Sequence, residues 1–428
     1  MISAVVTTIL MGSFFLAAYL VARAMNHHAL KPWRQSQGMH WTLRARLLYP
    51  ARSTASLNLW LLPLDGAMLG YLLHLPAPAW ALGLSCWPAA LLAAYPTSRE
   101  IFPAITLRSW ITSKLVTLIF QFMSFGALIL TIFTIPADFG AVTWLIAGLL
   151  FFWLLSLRLG AGIWLLRIFG AVKPPDERLA GIVTDAAKRM NLRPRHIWVY
   201  TSPIANAKAL PMIRGVMFST RLMEGLTDTQ ITSIAAHELA HLAEPPRIAL
   251  LRLIRSMIFF PLIFIRPLAA SGTNGPAFII WLIFIGVMFV LISTRRMSRI
   301  MEIRADAIAT MNQGEAATYA KALERIYEIN QMPAVMRGSR QTHPNLYDRM
   351  IAAGVTPDFP KPDPPGFRTP TIRILLASFC ILVVIILIQT HAISVNMQAS
   401  IKMGSSNGWH GPKAAVPHAR HQTGTAER

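Results

Sequence analysis

The residues with the clearest chemical meaning in this chain are His237 and His241, which flank the sequence Glu-Leu-Ala. Two histidines at this spacing fall on one face of a helix, where both imidazoles can bind one Zn²⁺. Glu238, directly after the first histidine, can take a proton from a water that the metal activates. The spacing therefore predicts the zinc chemistry of a metallopeptidase, rather than two unrelated histidines on a solvated helix.

A catalytic zinc takes a third protein ligand and leaves one position open for water. Two carboxylates are candidates for that ligand. Glu244 follows His241 closely, whereas Glu302 lies in a later polar segment, one helical turn before Asp306. The later pair could have two separate roles. Glu302 would bind the metal, and Asp306 would accept a hydrogen bond from the ring nitrogen of a ligand histidine that does not bind the metal. Spacing favours Glu302 and leaves Glu244 open.

The elements that position these residues should form an α+β domain. Residues 227–230 fit a helix-capping box, so residues 237–241 should lie inside a helix that ends before Pro245. Strands are predicted at 196–200 and 212–220 from their β-branched and aromatic content. Further helices are predicted at 176–192, 296–311 and 315–330 from the spacing of apolar residues.

The composition is typical of an integral membrane protein. Apolar residues make up 54% of the 428-residue chain and charged residues only 14%, against about 25% in soluble domains. About eight segments are predicted to span the membrane, although the sixth is short and contains Arg266 and Pro267. They are 2–22, 57–75, 77–95, 115–136, 141–157, 257–270, 276–293 and 372–389.

The net charge of +21 is concentrated in alternate loops, the pattern that marks the cytoplasmic side of a membrane. It predicts that both termini lie outside and that the catalytic domain faces the cytoplasm, in a bacterial-type cytoplasmic membrane. Because the basic residues are spread over many loops and not clustered on one folded face, nucleic acid is not a predicted partner.

The predicted fold is an α-helical polytopic membrane protein with an inserted α+β zinc-metallopeptidase domain. Residues 1–170 form a membrane region with five spans. Residues 171–370 form the cytoplasmic domain, which a membrane hairpin at 256–294 interrupts. A last transmembrane helix at 371–391 leads to a polar tail at 392–428, which is predicted to be disordered.

The zinc motif, the later Glu302–Asp306 pair and the membrane hairpin between them resemble the integral-membrane zinc metallopeptidases that include HtpX and the CAAX prenyl endopeptidases. The resemblance extends over residues 172–352 and includes three further signatures. These are Asn206-Ala207, Thr220-Arg221-Leu222-Met223, and Thr342-His343-Pro344 followed by Arg349. The combined pattern is more specific than the zinc motif alone.

The resemblance implies one zinc ion per chain, with Glu302 as its third ligand. It implies that Asp306 holds a ligand histidine, and that His343 and Arg349 are catalytic residues that hold the substrate or the tetrahedral oxyanion. A donor aimed at developing negative charge is worth a few kcal/mol in a dry site.

The resemblance also implies an edge strand at Asn206 and Ala207, where an extended substrate would bind. Lys208 follows, where the family commonly has an aromatic residue. This departure leaves the side-chain preference of the substrate site open, but it leaves backbone pairing unaffected.

We predict a membrane-embedded zinc metalloendopeptidase that cleaves membrane or membrane-associated proteins, in quality control or regulatory proteolysis. Its predicted partners are the lipid bilayer and a protein or peptide substrate; the sequence does not define an oligomeric state. The alternative is a non-enzymatic sensor or transporter with a structural zinc site. Structural zinc is normally bound by four protein ligands, often cysteines, but Cys86 and Cys380 both fall in predicted spans.

Overall fold

The computed structural model describes residues 2–117, 123–271, 275–336 and 344–366. The chain divides into two units, Met1–Thr369 and Pro370–Arg428, and the described residues all belong to the first. His343, the predicted last span at 371–391 and the tail at 392–428 lie outside the described residues. The predicted domain division at residue 170 stays a prediction.

In the described residues, helices account for most of the chain and the strands are few and short. The helices are α1 (Ile2–Ala29), α2 (Lys31–Arg34), α3 (Trp41–Leu72), α4 (Ala79–Ile101), α5 (Leu107–Thr117), α6 (Met123–Thr134), α7 (Ala141–Arg158), α8 (Ala161–Ile168), α9 (Glu177–Arg189), α10 (Thr220–Gly225), α11 (Asp228–Leu242), α12 (Pro246–Ser256), α13 (Ile265–Ala270), α14 (Gly275–Met311), α15 (Thr318–Ile329) and α16 (Leu346–Ala352). The strands are β1 (Val172–Lys173), β2 (His196–Tyr200), β3 (Ala207–Leu210) and β4 (Gly215–Ser219). Short 3-10 helices lie at Pro211–Ile213 and Phe260–Phe264.

Four segments within the described residues are long and apolar enough to cross a membrane. They are Ala4–Arg34, Ala141–Arg158, Pro246–Ala270 and Trp281–Met311. The chain is therefore a polytopic helical membrane protein, as its composition predicts. The predicted spans 57–75 and 77–95 fall mainly on α3 and α4, which are not among these four. The predicted span 115–136 falls on α5 and α6, with residues 118–122 outside the described part. The count of eight stays a prediction.

Helices α1, α3 and α4 of the N-terminal region pack through small residues. One buried cluster contains Ala18, Ala22, Ala89, Ala90 and Ala93. Small side chains let helix backbones approach closely, which is how membrane helices commonly associate. At Gly83 a Cβ atom would lie 2.5 Å from the carbonyl oxygen of Pro63, so the contact between α3 and α4 requires glycine there.

The four strands form one sheet in the order β1-β2-β4-β3. β2 and β4 are parallel, whereas β1 and β3 pair antiparallel with β2 and β4 respectively. The predicted strand at 196–200 is confirmed as β2. The predicted strand at 212–220 begins later, as β4, because Pro211–Ile213 forms a 3-10 helix and Arg214 has a φ of 50°.

β4 is buried along its whole length and joins two parts of the core. Val216 and Phe218 pack in the main core with Leu239 of α11. Met217, which points to the opposite face, packs with Leu166 of α8. Because full burial of a large apolar side chain is worth about 1.5–3 kcal/mol, these contacts fix the sheet between α8 and α11.

Helix α11 begins at the predicted capping box. The Thr227 side chain accepts a hydrogen bond from the Gln230 backbone, and the Gln230 side chain accepts one from Thr227 N at 3.1 Å. The helix ends at Leu242, and Pro246 starts α12 after a short turn. The zinc motif therefore lies in the last turns of α11, on a stretch that is buried from Ser233 to His241.

The second leg of the predicted membrane hairpin, 276–293, and the predicted polar helix, 296–311, form one continuous helix, α14. Residues 294–296 are Thr-Arg-Arg. Because they contain neither proline nor glycine, the helix continues beyond its apolar part. Glu302 and Asp306 consequently lie at the polar end of a candidate membrane span, on a helix that packs against α11.

Candidate metal centre

His237 and His241 lie one turn apart on α11, and Glu302 approaches them from α14. The Nε2 atoms of His237 and His241 lie 3.5 Å from Oε2 and Oε1 of Glu302, respectively. All three side chains are buried, and one donor atom from each lies within 4.8 Å of the others. Ligands of a tetrahedral ion are roughly 3.4 Å apart when the bonds are about 2.1 Å, so this donor set fits Zn²⁺.

The other ring nitrogen of His237 contacts a buried network, which we call the His237 support: Asp306, Tyr319 and Arg349. His237 Nδ1 lies 3.1 Å from Asp306 Oδ1 and 2.9 Å from the Tyr319 hydroxyl. That hydroxyl donates to Asp306 Oδ1 at 2.6 Å. Arg349 donates to Asp306 Oδ2 at 2.8 Å, to Oδ1 at 2.7 Å, and to the hydroxyl at 2.9 Å. Helices α14, α15 and α16 therefore jointly fix the imidazole ring.

The electrostatics of this network favour positive charge at His237. Burial lowers the pKa of His237, but hydrogen bonds to Asp306 and Glu302 outweigh it and raise the pKa to about 9. Asp306 accepts two hydrogen bonds from Arg349, and its carboxylate lies 3.1 Å from His237 Nδ1. Two carboxylates beside one imidazole attract a cation, and a metal ion satisfies that attraction.

His241 is held by Glu244 and Arg252, which we call the His241 support. Its Nδ1 lies 2.7 Å from Glu244 Oε1, and Arg252 of α12 donates to the same oxygen at 2.6 Å. Glu244 thus contacts the ring nitrogen that does not face Glu302. The group of potential metal donors contains Glu302 and not Glu244, so the geometry favours Glu302 where spacing left both carboxylates open.

The three donors open onto a cavity of about 610 Å³, which α11, α15 and the segment around β3 enclose. Glu238 lines it beside the two histidines, and so do Asn206, Ala207 and Lys208. The structure therefore brings the predicted base and the predicted substrate strand to the predicted metal ligands. Burial, and then the nearby charge of Arg158, lower the pKa of Lys208.

β3 is an edge strand; in the described part of the chain its one strand partner is β4. The backbone N–H of Ser219 donates to the carbonyl of Asn206 at 2.9 Å. Because backbone groups alternate in direction along an antiparallel strand, those of Ala207 and Ala209 point away from β4. Both residues line the cavity.

Asn330, which the sequence did not single out, fixes the segment that enters β3. Its side chain accepts a hydrogen bond from Ala205 N at 2.8 Å and donates to Ala205 O at 2.7 Å. Its backbone carbonyl accepts a hydrogen bond from Arg52 of α3. The amide therefore satisfies both backbone groups of one residue, and it connects the edge strand to the N-terminal helices.

Arg349 lines the cavity, but its guanidinium is bound to Asp306 and Tyr319, and the residue is only 7% exposed. This geometry gives Arg349 a part in holding Asp306. Its role toward the oxyanion stays a prediction. So does the role of His343, which lies outside the described residues.

Comparison with known proteins found two matches to this chain. Residues 174–354 match the model of peptidase family M48. A protease HtpX from Shewanella denitrificans is 30% identical to this chain, over 42% of this chain and 75% of the relative. The chain belongs to peptidase family M48. Since M48 enzymes are zinc-dependent metallopeptidases, the chain is a metallopeptidase and the predicted family is confirmed.

The M48 match contains Tyr319 and Glu244, whose contacts sequence reasoning missed. Tyr319 lies in the helix predicted at 315–330. An aromatic residue there can be an ordinary core residue or a partner of Asp306, and the sequence alone does not distinguish the two. Glu244 does carry a local signal, because a residue three positions after His241 lies on the same helix face. That spacing suits a metal ligand and a hydrogen-bond partner of the histidine equally well.

Proposed function

We propose that this M48 enzyme is a zinc endopeptidase whose ion is held by His237, His241 and Glu302. The observation that carries the proposal is the convergence of these donors, Glu238 and the edge strand on one cavity. Three protein ligands leave a coordination position open, as a catalytic zinc requires. Within the described residues the donor cluster has no fourth member, which argues against a closed structural zinc site.

Zinc bound there supplies a Lewis acid that lowers the pKa of water to about 7. Glu238 acts as the general base, taking a proton from the attacking water and returning it to the leaving amine. Asp306 and Glu244 accept hydrogen bonds at Nδ1, which leaves the Nε2 lone pair of each histidine available for the metal. His343 and Arg349 hold the substrate or donate hydrogen bonds to the developing oxyanion.

Metal analysis and peptidase assays of purified variants test this assignment. His237→Ala, His241→Ala and Glu302→Ala should each lose bound zinc. Glu238→Gln should keep zinc but lose about 10²–10⁴-fold in kcat, because it removes the base and not a ligand. Full zinc occupancy in Glu302→Ala would transfer the third-ligand role to another carboxylate, with Glu244 the first to examine.

The substrate would bind in extended form along β3, next to Asn206, Ala207 and Lys208. The outward backbone groups of Ala207 support this arrangement, since main-chain hydrogen bonds to an edge strand bind many sequences. Ala207→Pro removes an outward N–H and restricts Asn206. It should reduce kcat/KM strongly while zinc content and Tm stay near wild type.

Lys208→Ala is the matched control for Ala207→Pro, because it changes a side chain of the same strand and leaves the backbone donors intact. It should alter which substrate side chains are accepted and keep turnover. Normal turnover by a folded Ala207→Pro enzyme would exclude pairing along this strand.

The protein would have eight membrane spans, and its catalytic domain would face the cytoplasm. It would act on membrane or membrane-associated proteins. The alternation of basic and uncharged loops supports this topology, and the position of Glu302 at the end of a candidate span supports substrates near the bilayer. Reporter fusions after residues 220 and 410 should report opposite sides. Membrane proteins that accumulate in Glu238→Gln cells are the expected substrates.

A further inference from the structure

A second cavity, of about 410 Å³, lies beside the metal centre, between α6, α7 and the segment that runs from α12 to Phe260. We call it the arginine cavity. Its lining consists of Ser124, Leu128, Leu154, Arg158, Arg252, Arg255, Ser256, Phe259 and Phe260. It contains three arginines and, among the residues that line it, no carboxylate. A site with this charge attracts an anion.

The lining separates into a polar end and an apolar end. Arg158 is the last residue of α7, and Leu154 lies one turn earlier. Arg255 lies at the end of α12, and Phe259 follows one turn later. On α6 the polar residue is Ser124, the second residue of the helix, and the apolar Leu128 lies one helical turn later.

The polar residues of the three segments lie at the same end of the cavity. α6 and α7 form an antiparallel hairpin, and Leu128 and Leu154 share a buried cluster with Phe260 packed against it. Further along, Phe264 packs against Trp144 near the turn of the hairpin, with ring centroids 5.4 Å apart. Every polar lining residue is therefore at the end remote from that turn. The charged end contains Arg158, the last residue of the candidate span Ala141–Arg158, and two arginines, Arg252 and Arg255, from the first half of the candidate span Pro246–Ala270.

Two of the three arginines donate hydrogen bonds to described residues. Arg255 donates to Ser298 Oγ at 3.4 Å, and Arg252 donates to Glu244. Arg158 is exposed, and its charge contributes to the lowered pKa of Lys208. Three positive charges thus line one cavity, and the buried carboxylate of Glu244 pairs with one of them, Arg252. A second negative charge at this end would reduce their repulsion.

We propose that the arginine cavity binds an anionic phospholipid, with its phosphate near Arg158 and Arg255 and its acyl chains along Leu154 and Phe259. Basic pockets between transmembrane helices bind such headgroups. The apolar end distinguishes this ligand from free phosphate, which would leave that surface uncovered. The site is new with respect to the peptidase chemistry and does not depend on the zinc assignment.

The arginine cavity also adjoins the metal centre. Arg252 lines both cavities, and its partner Glu244 contacts His241. A bound lipid phosphate would therefore lie close to the His241 support. The test below leaves Arg252 unchanged, so that it reports lipid binding and not a disturbed metal site.

The test uses the full-length protein in detergent, with phosphatidylglycerol as the probe and native mass spectrometry as the readout. Arg158→Gln/Arg255→Gln should weaken phosphatidylglycerol binding at least about tenfold, since each arginine near a membrane surface contributes to anionic lipid binding. Phosphatidylcholine binding should not change. The control Arg167→Gln/Arg296→Gln removes the same charge from exposed positions outside the lining and should bind as wild type.

Equal phosphatidylglycerol binding by the cavity variant and wild type would overturn the proposal. So would displacement of the lipid by inorganic phosphate at similar concentrations, because the cavity would then recognise a free anion. Should the double variant fail to fold, Arg158→Gln alone changes an exposed helix end and should still reduce binding severalfold. An unchanged affinity in that single variant would count against the site as well.

Discussion

The two histidines of the metal centre are supported in different ways. The His237 support comes from three helices far along the chain, with Tyr319 82 residues away and Arg349 only 7% exposed. The His241 support comes from the residues that follow directly, and the side chain of its arginine, Arg252, is 37% exposed. One ring is therefore oriented by tertiary structure, and the other mainly by local sequence.

The difference determines what each support stabilises. Removing one partner from a buried ion pair leaves an uncompensated charge, at a cost of about 3–5 kcal/mol. In the His241 support the Glu244 side chain is buried, but Arg252 is 37% exposed and can turn toward water when its partner is removed, so the cost should be smaller. The His237 support should consequently stabilise both the fold and the metal site, whereas the His241 support should act mainly on the metal site.

Asp306→Asn should have the largest effect of the substitutions in the two supports. It keeps the shape of the side chain but removes the charge that holds His237, and it leaves Arg349 without its carboxylate. Zinc affinity should fall about 100-fold, the upper range for residues that orient a ligand histidine. The free energy of unfolding should fall by about 3–5 kcal/mol. Competition with a chromogenic chelator and denaturant unfolding measure the two effects.

The matched control for Asp306→Asn is Asp185→Asn, on an exposed face of α9, where the carboxylate lies 3.8 Å from Lys188 Nζ. Asp185→Asn should change neither the zinc affinity nor the free energy of unfolding. If Asp306→Asn bound zinc as tightly as wild type, the orientation of His237 would not depend on this carboxylate, and the contrast between the two supports would disappear.

The same contrast explains what the sequence could predict. The helix of the zinc motif and its capping box follow from local spacing and are confirmed, as is the strand at 196–200. Spacing also favoured Glu302 over Glu244 and paired it with Asp306, and the structure brings both residues to His237. Tyr319 and the Asn330–Ala205 contact could not be inferred, because their partners are set by how α15 packs. The position of β3 came from family resemblance, since a four-residue strand carries little pattern of its own.

Glu244→Gln should have an intermediate effect and should separate metal affinity from stability. It removes the charge at His241 Nδ1 but keeps a side chain that can accept the hydrogen bond, and Arg252 can turn toward solvent. Zinc affinity should fall about 10-fold, the lower range for such residues. The free energy of unfolding should fall by less than in Asp306→Asn, because the partner left behind, Arg252, is 37% exposed.

Glu224→Gln is the control for this substitution, because Glu224 is an exposed carboxylate 3.7 Å from its ion-pair partner Arg221. In Glu224→Gln the zinc affinity and the free energy of unfolding should both equal those of the wild type. A complete loss of zinc in Glu244→Gln would instead indicate that Glu244 is a metal ligand. A loss of several kcal/mol in stability would show that the two supports do not differ as described.

Tyr319→Phe should have the smallest effect on zinc affinity. It tests whether the Tyr319 hydroxyl or the Asp306 carboxylate orients His237. The substitution removes one hydroxyl, while Asp306 keeps its contact with His237 and both hydrogen bonds from Arg349. Zinc affinity should fall only a few-fold. Stability should fall by about 1–3 kcal/mol, since buried donors lose a partner. Tyr347→Phe, on α16 outside the network, is the control. A loss of zinc as large as in Asp306→Asn would mean that the hydroxyl, rather than the carboxylate, orients His237.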